Sequence, residues 1–219
     1  MLKLASGSPR RRELLALLGV PLEHVPADVD ELAAASPAAA KVDAVARAGD
    51  AVIGADTEVY LDGRMLGKPP DAAAATDMLR ALAGREHLVR TEVALAAPSG
   101  RRMRFAVSSR VTMRPRDDDA IAAYVATGEP LDKAGAYALQ GLGGRLVASY
   151  EGCYANIMGL PLCHAYFALR RIGVHPLERP EPAFERRFGF TCPAWRAAYR
   201  QGRNLRDGAE YESWLERLP

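Results

Sequence analysis

The chain has only three cysteines, Cys153, Cys163 and Cys192, and none of them stands in a CxxC pair. An odd, scattered count excludes a disulfide framework and a structural zinc site, and it suits a reducing compartment. Long apolar runs are also missing. No stretch approaches the roughly 18 residues that a membrane-spanning helix needs, and the N-terminus lacks the apolar core of an export signal. The expectation is a cytoplasmic protein without membrane contact. Charge of one sign is not in excess either: 29 Lys and Arg stand against 27 Asp and Glu, a net charge of +2. That balance argues against a nucleic-acid partner and leaves cationic sites to be local. No internal period of about 20 to 50 residues exists, which removes the solenoids. Neither GxxxxGK[ST] nor a GxGxxG between strand and helix occurs, so P-loop and Rossmann nucleotide sites are excluded.

What is present is an ordinary globular composition, 49% apolar and 26% charged over 219 residues, enough for one substantial core with or without an appendage. Strand and helix patterns alternate, predicting an α/β fold. Leu2 and Leu4 read as a short strand, and Leu14, Leu15, Leu17 and Leu18 as a helix face that Gly19 ends. Residues 20–29 read as extended and lead to an acidic cluster, Asp28, Asp30 and Glu31. An Ala-rich helix over 32–48, effectively starting at Ser36-Pro37, carries Lys41. Residues 51–55 predict a buried strand that ends before Asp56-Thr57, and 58–61 a second strand turning at Asp62-Gly63. Helices are expected over 71–83 and 117–126, and an antiparallel pair over 89–95 and 103–113. Strand-like runs at 136–140 and 145–149 and a helix from Pro161 to Gly173 complete the alternation. Beyond this the composition turns to proline, arginine and both tryptophans, with acidic residues as far as Glu216 balancing the charge. The expected organisation is a domain over 1–174 and a linker with a small helical extension over 175–219.

Chemistry concentrates first in Ser6-Gly7-Ser8-Pro9-Arg10-Arg11-Arg12. Ser8 can cap the following helix, Pro9 suits its first position, and the free N–H groups of that helix end, with forked arginines, match phosphate oxygens. Taken alone, the same residues are equally ordinary helix-start chemistry. Asp56, read as following a strand, stands where α/β sheets meet ligands, or else caps a turn. Lys68 lies beside a glycine in Gly67-Lys68-Pro69, and Lys133 precedes an apolar run. Gln140 offers an amide that donates and accepts, as reading a nucleobase edge requires. Together these describe a nucleotide site: Ser and Arg for phosphate, carboxylates at 28–31 and 56 for a divalent metal, lysines 41, 68 and 133, and an amide. Magnesium commonly binds through one or two carboxylates plus substrate phosphates.

In order along residues 2 to about 174, LASGSPRRRELL at 4–15, DVDE at 28–31, IGADT at 53–57, GKP at 67–69, GEPLDKAGAY at 128–137, QG at 140–141 and GLP at 159–161 resemble the Maf family of nucleoside triphosphate pyrophosphatases. The resemblance implies an elongated mixed α/β sheet flanked by helices, a cleft between two lobes, and a homodimer. It also implies hydrolysis of a nucleoside triphosphate to the monophosphate and pyrophosphate with a divalent cation, Mg2+ or alternatively Mn2+ or Co2+. Asp56 falls on the family's proton acceptor and Glu31 on a polar cleft position, and these two are the carboxylates expected to hold the metal. Arg10, Thr57 and Gln140 fall on positions linked to substrate choice, and Ser8, Arg11, Lys41 and Lys68 on other polar cleft positions, beside which Lys133 is expected. The DKAGAY and QG strings look like the branch acting on dTTP and UTP. A pyrophosphatase for 7-methyl-GTP, and a nucleotide-binding regulator of cell division with little turnover, are the alternatives. The chain departs from the pattern in carrying Glu58 for an apolar residue, Glu92 for a glycine, a short stretch before Lys41, and the extension past 174.

Overall fold

The computed structural model describes residues 1–31 and 33–212. Short polar side chains start four of its helices. Ser8 caps α1 (Pro9–Ala16), Ser36 caps α2 (Pro37–Val45), Asp71 caps α3 (Ala72–Leu82) and Asp117 caps α4 (Asp118–Val125), each accepting a hydrogen bond from the backbone N–H three residues on. Between and after them run β1 (Leu2–Leu4), β2 (Leu22–His24), β3 (Ala51–Leu61), β4 (Arg64–Leu66), β5 (Glu86–Ala96), β6 (Arg102–Met113), β7 (Val147–Glu151), α5 (Tyr154–Ile157), α6 (Leu162–Arg171), α7 (Pro180–Phe188), α8 (Trp195–Arg203) and β8 (Ala209–Glu212).

The strands form one mixed sheet in the order β2-β1-β3-β5-β6-β7, with β4 also on β3 and β8 also on β6. β5 pairs along a whole edge of β3, from Val52 opposite Ala96 to Tyr60 opposite Leu88. β1 and β4 must therefore share the other edge: β1 runs parallel at Ala51 to Ile53, and β4 antiparallel at Val59 to Leu61. Between them, the edge from Gly54 to Glu58 carries no strand partner among the described residues. The sheet forks there into two lobes, each with its own core. One core is built on Leu2, Leu14, Leu95, Phe105 and Leu162, the other on Leu79, Leu82, Val89, Val111 and Tyr124. α2 covers the opposite face of the sheet through Ala38, Val42 and Val45, packed on Val52, Ala94 and Ala96. The elongated, two-lobed mixed sheet is the fold that the motif pattern implied.

Several local expectations are corrected. β3 runs unbroken through Asp56, which stands in mid-strand because β5 pairs on through Glu92 opposite Asp56 and Thr91 opposite Thr57. Residues 136–140 are no strand: Gly135 and Ala136 have φ of 68° and 61°, and the chain curls through short 3-10 turns at Glu129–Asp132 and Ala134–Ala136. The strand expected at 145–149 is β7, displaced by a further turn at Leu142–Leu146. Within 20–29 only β2 pairs as a strand. α2 starts at Pro37, and Leu32 lies outside the described residues. The segment after α6 contributes, besides its two helices, the unanticipated strand β8, parallel to β6 at Phe105 to Ser108. Phe184, Cys192, Ala194 and Leu205 from this segment enter the same core as Leu2. Trp214 and Glu216 lie outside the described residues. No described helix is long and apolar enough to cross a membrane.

Candidate active site

At the fork of β3 lies a cleft of about 780 Å³. Ten residues singled out from the sequence line it: Ser8, Arg10, Arg11, Glu31, Lys41, Asp56, Thr57, Lys68, Lys133 and Gln140; of the acidic cluster, Asp28 and Asp30 do not. The side chains come from the α1 start, α2, β3, the β4–α3 loop and the turns after α4.

Its charged floor depends on one close approach. α2 packs so tightly on β3 at Gly54 that a Cβ there would meet Val42 Cγ2 at 3.0 Å and the Ala38 carbonyl oxygen at 3.1 Å. This brings the buried Lys41 Nζ to 2.6 Å from Asp56 Oδ1 and 2.7 Å from Glu31 Oε1. Lys68 Nζ lies 3.8 Å from the other Glu31 oxygen. Burial pulls the Glu31 carboxyl pKa up, but the Lys41 hydrogen bond and the charges of Lys41, Lys68 and Arg11 together hold it below the ordinary value. Beside Asp56 on β5, Glu92 accepts a 2.6 Å hydrogen bond from the Ser36 hydroxyl, which ties the start of α2 to the sheet. Two carboxylates thus converge on a single positive centre. No cluster of three or more His, Cys, Asp or Glu side chains suited to a metal occurs among the described residues. A hard divalent ion completed by substrate oxygens needs only one or two carboxylates from the protein.

Arg11 crosses the cleft as a clamp. Its Nε donates to the Gly159 carbonyl at 2.9 Å, Nη1 to Ser6 Oγ at 3.3 Å and Nη2 to Thr57 Oγ1 at 3.0 Å. A guanidinium has five N–H donors, so two are left for a ligand. Desolvation lowers the Arg11 pKa, partly offset by Asp56 and Glu31. Arg10, half-exposed on the next position of α1, has no hydrogen-bond or ion-pair partner among the described residues. Ser8 accepts from the Arg11 N–H at 3.4 Å as the cap of α1. Lys133 spends donors on the Glu129 carbonyl at 2.6 Å and Asp132 Oδ1 at 2.5 Å, leaving one. Gln140 Nε2 is buried and makes no hydrogen bond of ordinary geometry, although its amide stands close enough to the Tyr154 hydroxyl to oppose the rise that burial gives that phenol's pKa. Val59, Leu66, Val89, Leu139 and Ile157 give the cleft an apolar part of its lining.

Sequence reasoning missed the groups that hold this arrangement. Thr91 and Asn156, both fully buried, carry the Thr57 hydroxyl and the end of α5. A threonine in a strand and an asparagine in an apolar stretch give no signal of such a role. The GLP string at 159–161 was visible, and its glycine sits, with φ of 113°, where a Cβ would come within 3.3 Å of Thr57 Oγ1 and 3.4 Å of Arg11 Nε.

A fork in a mixed sheet, a cationic helix start, two carboxylates on one lysine, a buried amide and an apolar wall bring together in one cleft the chemistry suited to a nucleoside polyphosphate. The family model for Maf-like protein matches residues 1–172, and the chain belongs to that family. It is 50% identical over 185 residues to a protein of Moorella thermoacetica named dTTP/UTP pyrophosphatase, covering 79% of this chain and 95% of the relative. Proteins of the same name from Anaeromyxobacter sp. (strain Fw109-5) and Escherichia coli O157:H7 are each 48% identical, over 83% and 75% of this chain and 93% and 89% of their own lengths. A solved nucleoside-triphosphatase / dITP/XTP pyrophosphatase from Mycobacterium abscessus overlaps 51% of this chain and 73% of its own at 21% identity and a TM-score of 0.34, a likeness that carries no weight for function.

Proposed function

We propose that this protein hydrolyses dTTP and UTP to the nucleoside monophosphate and pyrophosphate, taking up one water. The observation that carries the reading is the meeting of Asp56, the cations of α1 and Lys41 and Lys68 in one cleft. The name shared by relatives about half identical to this chain supports the substrate class.

In this reading the triphosphate lies against the start of α1, where Ser8, Arg10 and the two remaining Arg11 donors take its oxygens. Asp56 orients the attacking water at the α-phosphorus and accepts its proton. Lys68 and Lys41 oppose the charge that grows on the departing pyrophosphate. Gln140 Nε2 donates to a pyrimidine carbonyl, with the third Lys133 donor and Thr57 beside the nucleoside, and the base rests on the apolar wall. Glu31 and Asp56 would hold the divalent ion, Mg2+ or alternatively Mn2+ or Co2+, which supplies Lewis-acid polarisation of the phosphates when bound. The protein acts as a homodimer in the cytoplasm; its three buried cysteines form no disulfide, which suits a reducing compartment.

Pyrophosphate release is to be measured with Mg2+ on dTTP, UTP, CTP, GTP and 7-methyl-GTP. Selective turnover of dTTP and UTP is expected. A preference for 7-methyl-GTP moves the substrate assignment, and silence on every nucleotide with Mg2+, Mn2+ and Co2+ overturns the hydrolase reading.

A further inference from the structure

Thr91 is fully buried and lies outside the cleft lining, yet it closes a ring of hydrogen bonds that contains Arg11. Its hydroxyl donates to the Asn156 carbonyl at 3.0 Å. A threonine hydroxyl has one proton, so in the 3.0 Å contact between Thr57 Oγ1 and Thr91 Oγ1 the donor is Thr57. Thr57 in turn accepts from Arg11 Nη2 at 3.0 Å. The Asn156 carbonyl also accepts from the Gly159 N–H at 2.9 Å, and the Gly159 carbonyl accepts from Arg11 Nε at 2.9 Å. The circuit runs from Arg11 through Thr57, Thr91, Asn156 and Gly159 back to Arg11, and joins α1, β3, β5 and the end of α5. Asn156 is itself pinned, its Nδ2 donating to the Val89 carbonyl at 3.0 Å and to Ser109 Oγ at 2.9 Å.

We infer that Thr91 is a positioning residue for Arg11. By accepting the Thr57 hydroxyl hydrogen bond, it turns a Thr57 lone pair toward the guanidinium and fixes the plane from which the two free N–H groups meet an anion. Thr57 then has no proton for a nucleotide. Its part in substrate choice is to orient Arg11 and to shape the wall, not to donate. This rests on the reading of the cleft as a triphosphate site.

Thr91→Val keeps the shape of the side chain and removes the acceptor, leaving the Thr57 proton without a buried partner; Thr91→Ser restores it. For Thr91→Val, kcat/KM for dTTP is expected to fall about 10-fold, chiefly through KM, as loss of one buried hydrogen-bond partner implies. Thr91→Ser is expected to stay within about twofold of the native protein, and Thr57→Val/Thr91→Val to be no worse than Thr57→Val, because both act through one circuit. Calorimetric affinity for inorganic tripolyphosphate is read in parallel and is expected to fall with the KM effect. A native KM and native tripolyphosphate affinity in Thr91→Val, even with a lowered melting temperature, overturn the positioning role. Should the native protein hydrolyse no nucleotide while Thr91→Val still weakens tripolyphosphate binding, the hydrolase reading fails and the circuit stands.

Discussion

Lys41 Nζ lies 2.6 Å from Asp56 Oδ1, with the lysine side chain 6% exposed and the aspartate 17% exposed. One buried ammonium therefore sets where this carboxylate points, and Asp56 is positioned before any ligand arrives. Asp56→Asn keeps the shape of the side chain and removes its basicity. The expected result is a fold and a nucleotide affinity near native, with kcat for dTTP lowered by about 100-fold to 10,000-fold, the range general-base catalysis contributes. Near-native turnover would falsify the catalytic assignment.

The lysine reaches Asp56 only because α2 lies against Gly54. A methyl there meets Val42 Cγ2 at 3.0 Å and the Ala38 carbonyl at 3.1 Å, so Gly54→Ala must lift the helix. Overpacking of this kind costs about 1 to 3 kcal/mol. Urea unfolding should show that loss, and kcat should drop with it because Lys41 moves away from Asp56. Native stability with native kcat would mean the helix is not held at this distance.

How much of this was legible depended on whether the cause was local. Ser8, Ser36, Asp71 and Asp117 could be read as helix starts because a cap needs only its own next turn, and most of the cleft residues announced themselves as charged or polar side chains beside glycine or proline in the sequence. Asp56 was misread as a strand end because what carries β3 through it is the ladder to Glu92 and Thr91, some 35 residues on. Gly135 and Ala136 are both left-handed, and Val59 Cγ1 would crowd a Cβ at Gly135 at 2.9 Å, a packing fact with no sequence signature. β8 is four residues long, AEYE, too short for alternation to declare itself.

β8 also reaches the cleft wall. Glu210 holds Arg90 through contacts of 2.6 and 3.1 Å, and Arg90 Nη1 donates to Glu58 Oε2 at 2.9 Å, where Tyr60 also donates at 3.0 Å. Glu58 lines the cleft and is 19% exposed, whereas Glu210 is 60% exposed. Losing Glu210 should therefore matter little: Glu210→Gln is expected to change stability by under about 1 kcal/mol. Arg90→Met strands a half-buried carboxylate and should destabilise more, by about 1 to 3 kcal/mol. Adding Glu58→Val should recover most of that loss in urea titrations. Equal losses in the single and double variants would show that Arg90 does not serve Glu58.

Two buried imidazoles give the protein a pH dependence above the carboxylate range. Burial lowers the pKa of both His87 and His164 from 6.5 to about 4, and each has an Nδ1 buried without a partner, so a proton there has nothing to bond. A folded pKa below the unfolded one means the unfolded chain binds more protons between the two values. The stability is thus fully present above pH 6.5 and is lost as pH falls from there toward about 4. The carboxyls held below their ordinary values, Glu31, Asp50, Asp118 and Asp132, begin to add their own loss only near or below 4.5. Between pH 7 and 5 the histidines carry most of the loss, and together they should remove about 4 kcal/mol, about 2 each. His164→Phe, which keeps a ring against Phe105 and Tyr211, should halve that slope. Urea midpoints that do not move between pH 7 and 5 would mean that these rings are not held neutral in the fold.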